Sequence, residues 1–195
     1  MNDINGQRGI YYAKDGEKIP QSWTKKWKTR HPKKVMFAAG ISARGKTGMY
    51  YVPPKVKVDR WFFTDHILTP IWEKDIPRLY PGEEHKVVLH FDSAPSHVTW
   101  ETYLWLTERG INFITKDEWP ANSPDVSSMD YAANGNIKQQ LFKKNGSTMA
   151  IVKRHLNKVW KDIPLDFWYK SMQAWEGRVK KMIQYEGYQI ENFKK

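Results

Sequence analysis

An α/β fold is the class that this sequence predicts, from two observations. Strand and helix signals alternate through residues 33–143, where a hairpin precedes a helix, a strand, a second helix and another strand. Residues 144–195 carry helical periodicity instead. A chain of 195 residues can bury one core, so we expect one domain over 1–195 with a helical C-terminal part at 144–195.

The hairpin is predicted from two apolar runs around a glycine-containing turn. The runs are VMFAAGI at 35–41 and MYYV at 49–52. Pro53 and Pro54 end the second strand, because proline cannot donate to a ladder. Residues 59–79 then place apolar side chains at near-helical spacing, and Pro70 predicts a kink in that helix.

A strand–helix–strand unit is predicted next. The short apolar run at 87–91, VVLHF, is typical of a buried strand. Apolar spacing predicts a helix over 97–109, with Trp100, Tyr103 and Leu104 at i, i+3 and i+4, and Gly110 ends it. The next strand is INFI at 111–114, and a proline-rich loop then leads to a helix from about Asp130 to Phe142.

Composition limits the classes of partner and cofactor. The chain carries 32 Lys and Arg against 21 Asp and Glu, a net charge of +11, which favours polyanions and nucleic acid first. A merely basic surface is the alternative. The chain has no cysteine, and its six histidines lack metal-binding spacing, so a zinc site is not expected. No run approaches the ~20 apolar residues of a membrane span, so no membrane partner is expected.

Asp92 and Asp130 are the candidate catalytic and metal-binding residues. Asp92 follows the 87–91 strand, and Asp130 opens the helix after the next strand. Proteins with parallel strands bind their ligands at the C-terminal ends of those strands, so both carboxylates can face one crevice there. Hard oxygen ligands suit Mg²⁺ or Mn²⁺, which stabilise the attacking and leaving oxygens of phosphoryl transfer.

A purely structural role remains open for each of these residues. Aspartates at strand ends and helix N-termini are often turn or cap residues, and we expect this of Asp125. His90 lies within the strand and is expected to be packed rather than catalytic. For His97, a helix cap and a place near the crevice both remain open.

A basic segment near the N-terminus is the candidate DNA-binding region. Trp23 and Trp27 interleave with its cations, an arrangement that suits a phosphate backbone with occasional base stacking. A solvated charged loop is the alternative. The candidate DNA-binding residues are Lys25, Lys26, Lys28, Arg30, Lys33 and Lys34.

An apolar helical stripe marks the C-terminal part, and we expect it to be core or a subunit contact. Three cations lie off the stripe, where they could meet DNA: Arg178, Lys180 and Lys181. The stripe consists of Met172, Trp175, Val179, Met182 and Ile183.

Three segments resemble motifs of mariner-like transposases. HFDSAPSH at 90–97 resembles their DNAPSH block, and NSPDVSSMDY at 122–131 resembles the YSPDLxPxDY block that carries the third catalytic acid. KKVMFAAGISARGKTGMYY at 33–51 resembles their second and third strands. The 37 residues between Asp92 and Asp130 match a mariner-related subgroup with three aspartates.

The resemblance covers nearly the whole chain from about residue 5. It implies an RNase H-like mixed sheet flanked by helices. It also implies Mg²⁺- or Mn²⁺-dependent cleavage and transfer of DNA strands, and a nuclear location.

Departures from the family pattern predict impaired catalysis. The family's first aspartate, counted back from VMFAAGI, falls at or before Met1, and Asp3 is a weak substitute in its turn-like NDING setting. The N-terminal helix-turn-helix is also absent, Ser93 replaces an asparagine, and DYAANGN replaces DYHLF. We therefore expect weakly bound or absent metal, and a sheet whose first strand is missing or is replaced by residues 1–13 or by a partner's strand.

Three functions remain open. The preferred hypothesis is a transposase-derived, catalytically impaired DNA-binding domain, with salt-sensitive affinity and no cleavage. The second is an active Mg²⁺-dependent transposase or nuclease core, if a third carboxylate is supplied. The third is a protein-interaction remnant, such as a homodimer formed through the helical C-terminal part. The sequence leaves open whether the chain is a fragment, an element-encoded protein or a domesticated remnant.

Overall fold

The computed structural model describes residues 35–120, 123–142, 144, 148–188 and 190. Over these residues the chain is a mixed α/β fold of short strands flanked by helices, as predicted. The strand-like run at 10–13, Asp3 and the whole basic segment at 23–34 lie outside the described residues.

The predicted hairpin is present, but its first strand is divided. Strand β1 (Met36–Ala38) pairs antiparallel with β4 (Tyr50–Val52), while β2 (Ile41–Ser42) and β3 (Gly45–Lys46) form a second small pair. The division falls at Gly40, whose N–H donates to Thr47 Oγ1 at 2.7 Å. Gly40 O still accepts from Thr47 N at 2.9 Å, so one backbone bond and one side-chain bond join the two residues between the two strand pairs.

The parallel pair is also present and is shorter than predicted. Strand β5 (Val88–Leu89) pairs parallel with β6 (Asn112–Phe113), with Leu89 opposite Phe113. Val88 is exposed, in contrast to the buried strand that was predicted. Within the described part of the chain, β5 has β6 as its only strand neighbour, and no described strand joins this pair to the hairpin.

Two cores lie on opposite faces of the β1–β4 pair. Side chains alternate between the faces of a strand, so Phe37 and Tyr51 pack on one core while Ala38 and Tyr50 pack on the other. The hairpin core consists of Phe63, Ile67, Leu68, Leu106 and Ile111. The C-terminal core consists of Ala133, Ile137, Leu156, Val159, Trp160, Ile163 and Trp168.

The predicted helix over 59–79 is one continuous helical segment, α1, with two wide turns. It consists of α-helical Arg60–Phe63, π-helical Thr64–Leu68, π-helical Ile71–Asp75 and α-helical Ile76–Leu79. Each π-helical stretch lies just before a proline, Pro70 or Pro77. A proline ring lacks an N–H and crowds the preceding turn, and a widened turn accommodates it.

Helix α2 (Trp100–Glu108) joins the parallel strands and begins at Thr99, whose Oγ1 accepts from Thr102 N at 3.2 Å. It ends before Gly110, which has φ +62°. The apolar spacing that predicted α2 does not mark its buried face: Trp100 is 73% exposed, whereas Thr102 and Leu106 are fully buried. The buried face of α2 therefore carries Thr102 and Leu106, and Trp100 lies on the solvent side.

Three helices complete the described chain and confirm the helical C-terminal part. Helix α3 combines π-helical Met129–Asn134 with α-helical Gly135–Phe142, and α4 (Met149–Asp162) and α5 (Leu165–Gln184) follow. No helix in the described ranges has the length and apolarity needed to cross a membrane. In α5, buried residues end at Ser171, so the predicted stripe beyond it is half-buried, with Ile183 exposed.

Candidate active site

The loop after β5 fixes the position of Asp92 through two tight turns. Asp92 Oδ1 accepts from Ala94 N at 3.2 Å, and Ala94 O accepts from His97 N at 2.8 Å. Thr102 Oγ1 then donates to Ser96 O at 3.0 Å, which ties the loop to α2. These bonds turn the chain back, so that His97 faces the carboxylate five residues before it.

His97 anchors Asp92 to the hairpin core. His97 Nδ1 lies 2.7 Å from Asp92 Oδ1, and the imidazole stacks on Phe63 with ring centroids 3.9 Å apart. Phe91 meets the same ring edge-on at 5.7 Å. The His97 side chain is 19% exposed, whereas that of Asp92 is 80% exposed. A half-buried imidazole therefore holds a carboxylate that remains open to solvent.

This arrangement keeps Asp92 ionised. The hydrogen bond from His97 is the main reason that the pKa of Asp92 lies below its usual value, with smaller contributions from the charge of His97 and the Ala94 N–H. Desolvation opposes the shift and is outweighed. A carboxylate with a lowered pKa is ready to bind a cation at neutral pH.

Asp130 lies in the first turn of α3, close to where the sequence predicted a helix start. Its N–H donates to Ser127 O at 2.9 Å, and its Oδ1 accepts from Asn134 Nδ2 at 3.1 Å, one turn along the helix. The helix N-terminus favours a negative charge here. Asp130 is exposed, so its carboxylate is accessible.

His90 links the two carboxylates. His90 was predicted to lie within the strand, but β5 ends at Leu89 and His90 is exposed just beyond it. Its ring packs on Trp119 at 3.6 Å between centroids, so the predicted packing is present in this one contact. Burial of the ring lowers the pKa of His90, although the residue as a whole is exposed, and the charges of Asp92 and Asp130 both act in the opposite direction. Both carboxylates thus lie within electrostatic reach of one imidazole. Two acids that stand 38 positions apart in the sequence therefore both lie near the His90 imidazole, just beyond β5.

The donor set near His90 suits a hard divalent cation only in part. Carboxylate oxygens are the ligands that Mg²⁺ and Mn²⁺ prefer, and Asp92 and Asp130 supply two of them. No group of three or more His, Cys, Asp or Glu suited to a metal is present among the described residues. Asp3, the weak candidate for a first acid, lies outside them.

The sequence left the position of His97 undecided, and it did not connect His90 with either carboxylate. The sequence did contain a signal for the contact between His97 and Asp92: the histidine follows the aspartate by five residues, across a proline-containing tight turn and just before a threonine N-cap.

Asp125 is a turn residue, as predicted, and its Oδ2 accepts from Ile190 N at 2.8 Å. Arg178 donates to Asp125 O at 2.7 Å and lies over Tyr131, which gives it a structural role.

The fold is shared with solved structures of the Mos1 mariner transposase. A pre-cleavage Mos1 transpososome matches with a TM-score of 0.78 at 18% identity, over 95% of this chain and 53% of that one. The Mos1 paired-end complex with Mn gives 0.77 at 19%, over 95% and 52%. The catalytic domain of Mos1 mariner transposase gives 0.70 at 18%, over 82% and 78%.

The chain therefore has the RNase H-like fold of a mariner transposase catalytic domain, as the sequence predicted. It spans about half the length of the Mos1 chains in the complexes. No protein-family model matches the chain, and no curated protein sequence does.

Proposed function

We propose that this mariner-type fold is a transposase-derived DNA-binding domain, related to metal-dependent cleavage and transfer of DNA strands, in which catalysis is impaired. One observation carries the proposal: the negative charges of Asp92 and Asp130 both act on the His90 imidazole, which supports a site shared by the two carboxylates. Impairment is supported by the lack of a three-ligand acidic group among the described residues.

Asp92 and Asp130 are the residues that would hold Mg²⁺ or Mn²⁺. When bound, such an ion stabilises the charge that develops on phosphoryl oxygens. His97 positions the Asp92 carboxylate and lowers its pKa, and the dipole at the N-terminus of α3 favours a negative charge at the position of Asp130. With two protein ligands, we expect weak metal binding and little cleavage.

DNA is the proposed partner. The net charge of +11 favours a polyanion, and the basic segment at 23–34 supplies cations and two tryptophans. The matching Mos1 structures include a transpososome and a paired-end complex with the left transposon end. A nuclear location and a homodimer complete the proposal, the dimer resting on the half-buried stripe of α5.

A cleavage assay tests the proposal. Labelled duplex DNA is incubated with the chain and Mn²⁺ or Mg²⁺, and binding is followed in parallel across salt concentrations. We expect salt-sensitive binding, with log affinity falling linearly with log salt, and no metal-dependent nicking. Absence of DNA binding in a folded sample would refute the proposal.

The second function is an active nuclease core, which Asp92 favours because it is ionised and accessible. Nicking that requires Mn²⁺ and disappears in Asp92→Asn would establish it. The third is a dimerising remnant, which the exposed Ile183 at the end of the α5 stripe favours. A concentration-dependent mass that falls in Ile183→Glu, together with no DNA binding, would support that function instead.

A further inference from the structure

A basic cleft lies apart from the acidic crevice. Its volume is about 370 Å³, and it is enclosed by the β2–β3 turn, the end of α1 and the connection between α4 and α5. Its walls include an apolar part formed by Leu79, Ile163 and Leu165. Four cationic side chains line it: Arg44, Lys46, Arg78 and Lys161.

Two of these cations are guanidinium groups that neighbouring side chains hold in position. Arg44 pairs with Glu83 and lies 4.6 Å over the ring of Tyr80. Arg78 donates to Asp75 Oδ1 at 2.9 Å and to Lys46 O at 2.8 Å. A guanidinium has five N–H donors, so these contacts leave others for a ligand. Pre-positioned guanidinium groups are suited to phosphate oxygens.

Lys46 offsets the negative end of the α4 dipole, which would otherwise repel an anion in the cleft. Its Nζ donates to Lys161 O and Ile163 O, each at 2.9 Å, and to Trp160 O. These carbonyls lie at or just beyond the C-terminal end of α4, where the helix dipole is negative and would repel an anion. Because Lys46 is bonded to them, it contributes positive charge to the cleft while neutralising this negative end.

The opposite wall supplies N–H groups. Helix α5, of 20 residues, begins after Pro164 and has no side-chain cap. Phe167 N donates to Pro164 O at 3.2 Å, so the N–H groups that precede it in the first turn are the ones open to a ligand. Trp168 also lines the cleft and is 1% exposed, and its indole Nε1 is closed to solvent and has no hydrogen-bond partner in the described structure. A buried donor without an acceptor is costly, so a small shift of the ring that brought this N–H to a bound anion would be favourable.

We propose that this cleft is a phosphate-binding site. Fixed guanidinium groups, a neutralised helix C-terminus and an uncapped helix N-terminus line one volume large enough for a phosphate and part of a sugar, and the unsatisfied indole N–H of Trp168 belongs to a residue of the same wall. The proposal that the cleft binds phosphate does not depend on the proposed function. The assignment of DNA as the source of the phosphate rests on that function.

In the test, inorganic phosphate is titrated into the full chain. Binding is measured from the NMR signals of the Trp168 indole N–H and of the backbone amides of 165–168. The test variant is Arg44→Gln, Lys161→Gln. Lys57→Gln, Lys74→Gln is the matched control, since it removes the same charge from exposed positions outside the cleft. We expect a saturable shift in the native chain and the control, and about tenfold weaker binding in the test variant.

Asp162 gives a test of opposite sign. It lines the cleft and pairs with Lys158 at 3.6 Å, so its negative charge opposes an anion. Asp162→Asn should strengthen phosphate binding about twofold, whereas a merely destabilising change would weaken it. No saturable shift, or equal shifts in the native chain and the Arg44→Gln, Lys161→Gln variant, would overturn the proposal.

Duplex DNA then identifies the source of the phosphate. If the cleft holds a backbone phosphate, the test variant should lower DNA affinity and reduce the salt slope by about 1 relative to the control. If phosphate binding is lost in the variant while DNA affinity is unchanged, the site stands and takes a free phosphate or phosphomonoester. Failure of DNA binding in every form would refute the proposed function alone.

Discussion

Two aspartates in this fold occupy opposite environments. Asp75 is 4% exposed and accepts three hydrogen bonds: from Tyr50 Oη at 2.6 Å, Gly48 N at 3.0 Å and Arg78 Nη2 at 2.9 Å. Asp92 has an 80% exposed side chain, and its bonds to His97 and Ala94 both fall on one oxygen, Oδ1. A saturated, buried carboxylate holds elements together, while an exposed one with spare acceptor capacity is available to a cation.

The Asp75 cluster joins the hairpin to α1. Gly48 and Tyr50 belong to the turn and strand β4, and Arg78 belongs to the last turn of α1. The carboxylate therefore links two segments that share no ladder. Its removal should affect stability, whereas changes at Asp92 should affect binding.

The largest expected effect is that of Asp75→Ala. The change leaves the Tyr50 hydroxyl and the Gly48 N–H without their buried acceptor, while Arg78 is exposed enough to be solvated, so it should cost about 1–3 kcal/mol for each of these two donors in the free energy of unfolding. Urea denaturation measures it. Asp65→Ala, at an exposed position of the same helical segment, is the control and should stay within about 0.5 kcal/mol. Equal effects of the two changes would contradict the structural role of Asp75.

Tyr50→Phe should have an intermediate effect. It removes the 2.6 Å bond to Asp75 while keeping the ring, and should cost about 1–3 kcal/mol. Burial, followed by the hydrogen bond to Asp75, raises the pKa of Tyr50 well above its usual value. The folded state therefore keeps this proton, and stability should fall as pH rises past the ordinary tyrosine pKa.

That alkaline loss is measured by urea denaturation at several pH values. Because it depends on the Tyr50 hydroxyl, it should be smaller in Tyr50→Phe than in the native chain. The control is Tyr188→Phe, at an exposed ring, which should leave the pH profile unchanged. Identical profiles in all three proteins would show that Tyr50 titrates normally.

His97→Phe should have the smallest effect on stability and a specific effect on Asp92. The new ring can keep the stacking on Phe63 but not the contact with the carboxylate. The folded pKa of Asp92 lies below its unfolded value, so its contribution is present above the unfolded pKa and is lost as pH falls through the folded one.

In His97→Phe the pKa of Asp92 should rise towards its ordinary value, and this acid-side loss of stability should shrink. A carboxyl carbon NMR titration measures the pKa directly. His90→Phe provides a comparison, because the charge of His90 is the last of the causes that lower the pKa of Asp92. A larger rise in His90→Phe than in His97→Phe would contradict the anchoring role of His97.

Much of the fold was predictable because local chemistry determines it. Prolines ended the hairpin, Gly110 ended α2, and both acids were placed after the correct elements. The buried face of α2 was not predictable from spacing, because Trp100 is the strongest apolar signal in that helix and yet faces solvent. Leu106 is buried because it packs in the hairpin core, and Thr102 is buried where its hydroxyl donates to Ser96 O, so tertiary contacts rather than the apolarity of single residues select the buried face.

The partners of the aspartates were harder to predict, because they lie far apart in sequence. Asp75 follows Ile71 and Trp72 at helical spacing, so the sequence places a charged residue on an apolar helix face. Such a placement indicates a buried, paired carboxylate. Its partners Gly48 and Tyr50 lie more than 20 residues earlier. The contact of His97 with Asp92 depends on a turn geometry that periodicity does not encode.

Calorimetric titration with Mn²⁺ tests the shared carboxylate site most directly, with the native chain compared with Asp92→Ala, Asp130→Ala. The control is Asp65→Asn, which alters an exposed carboxylate elsewhere. Weak binding in the native chain and the control, absent from a folded double mutant, is the predicted result. Binding that persists unchanged in the double mutant, or no binding by the folded native chain, would contradict a metal site shared by Asp92 and Asp130.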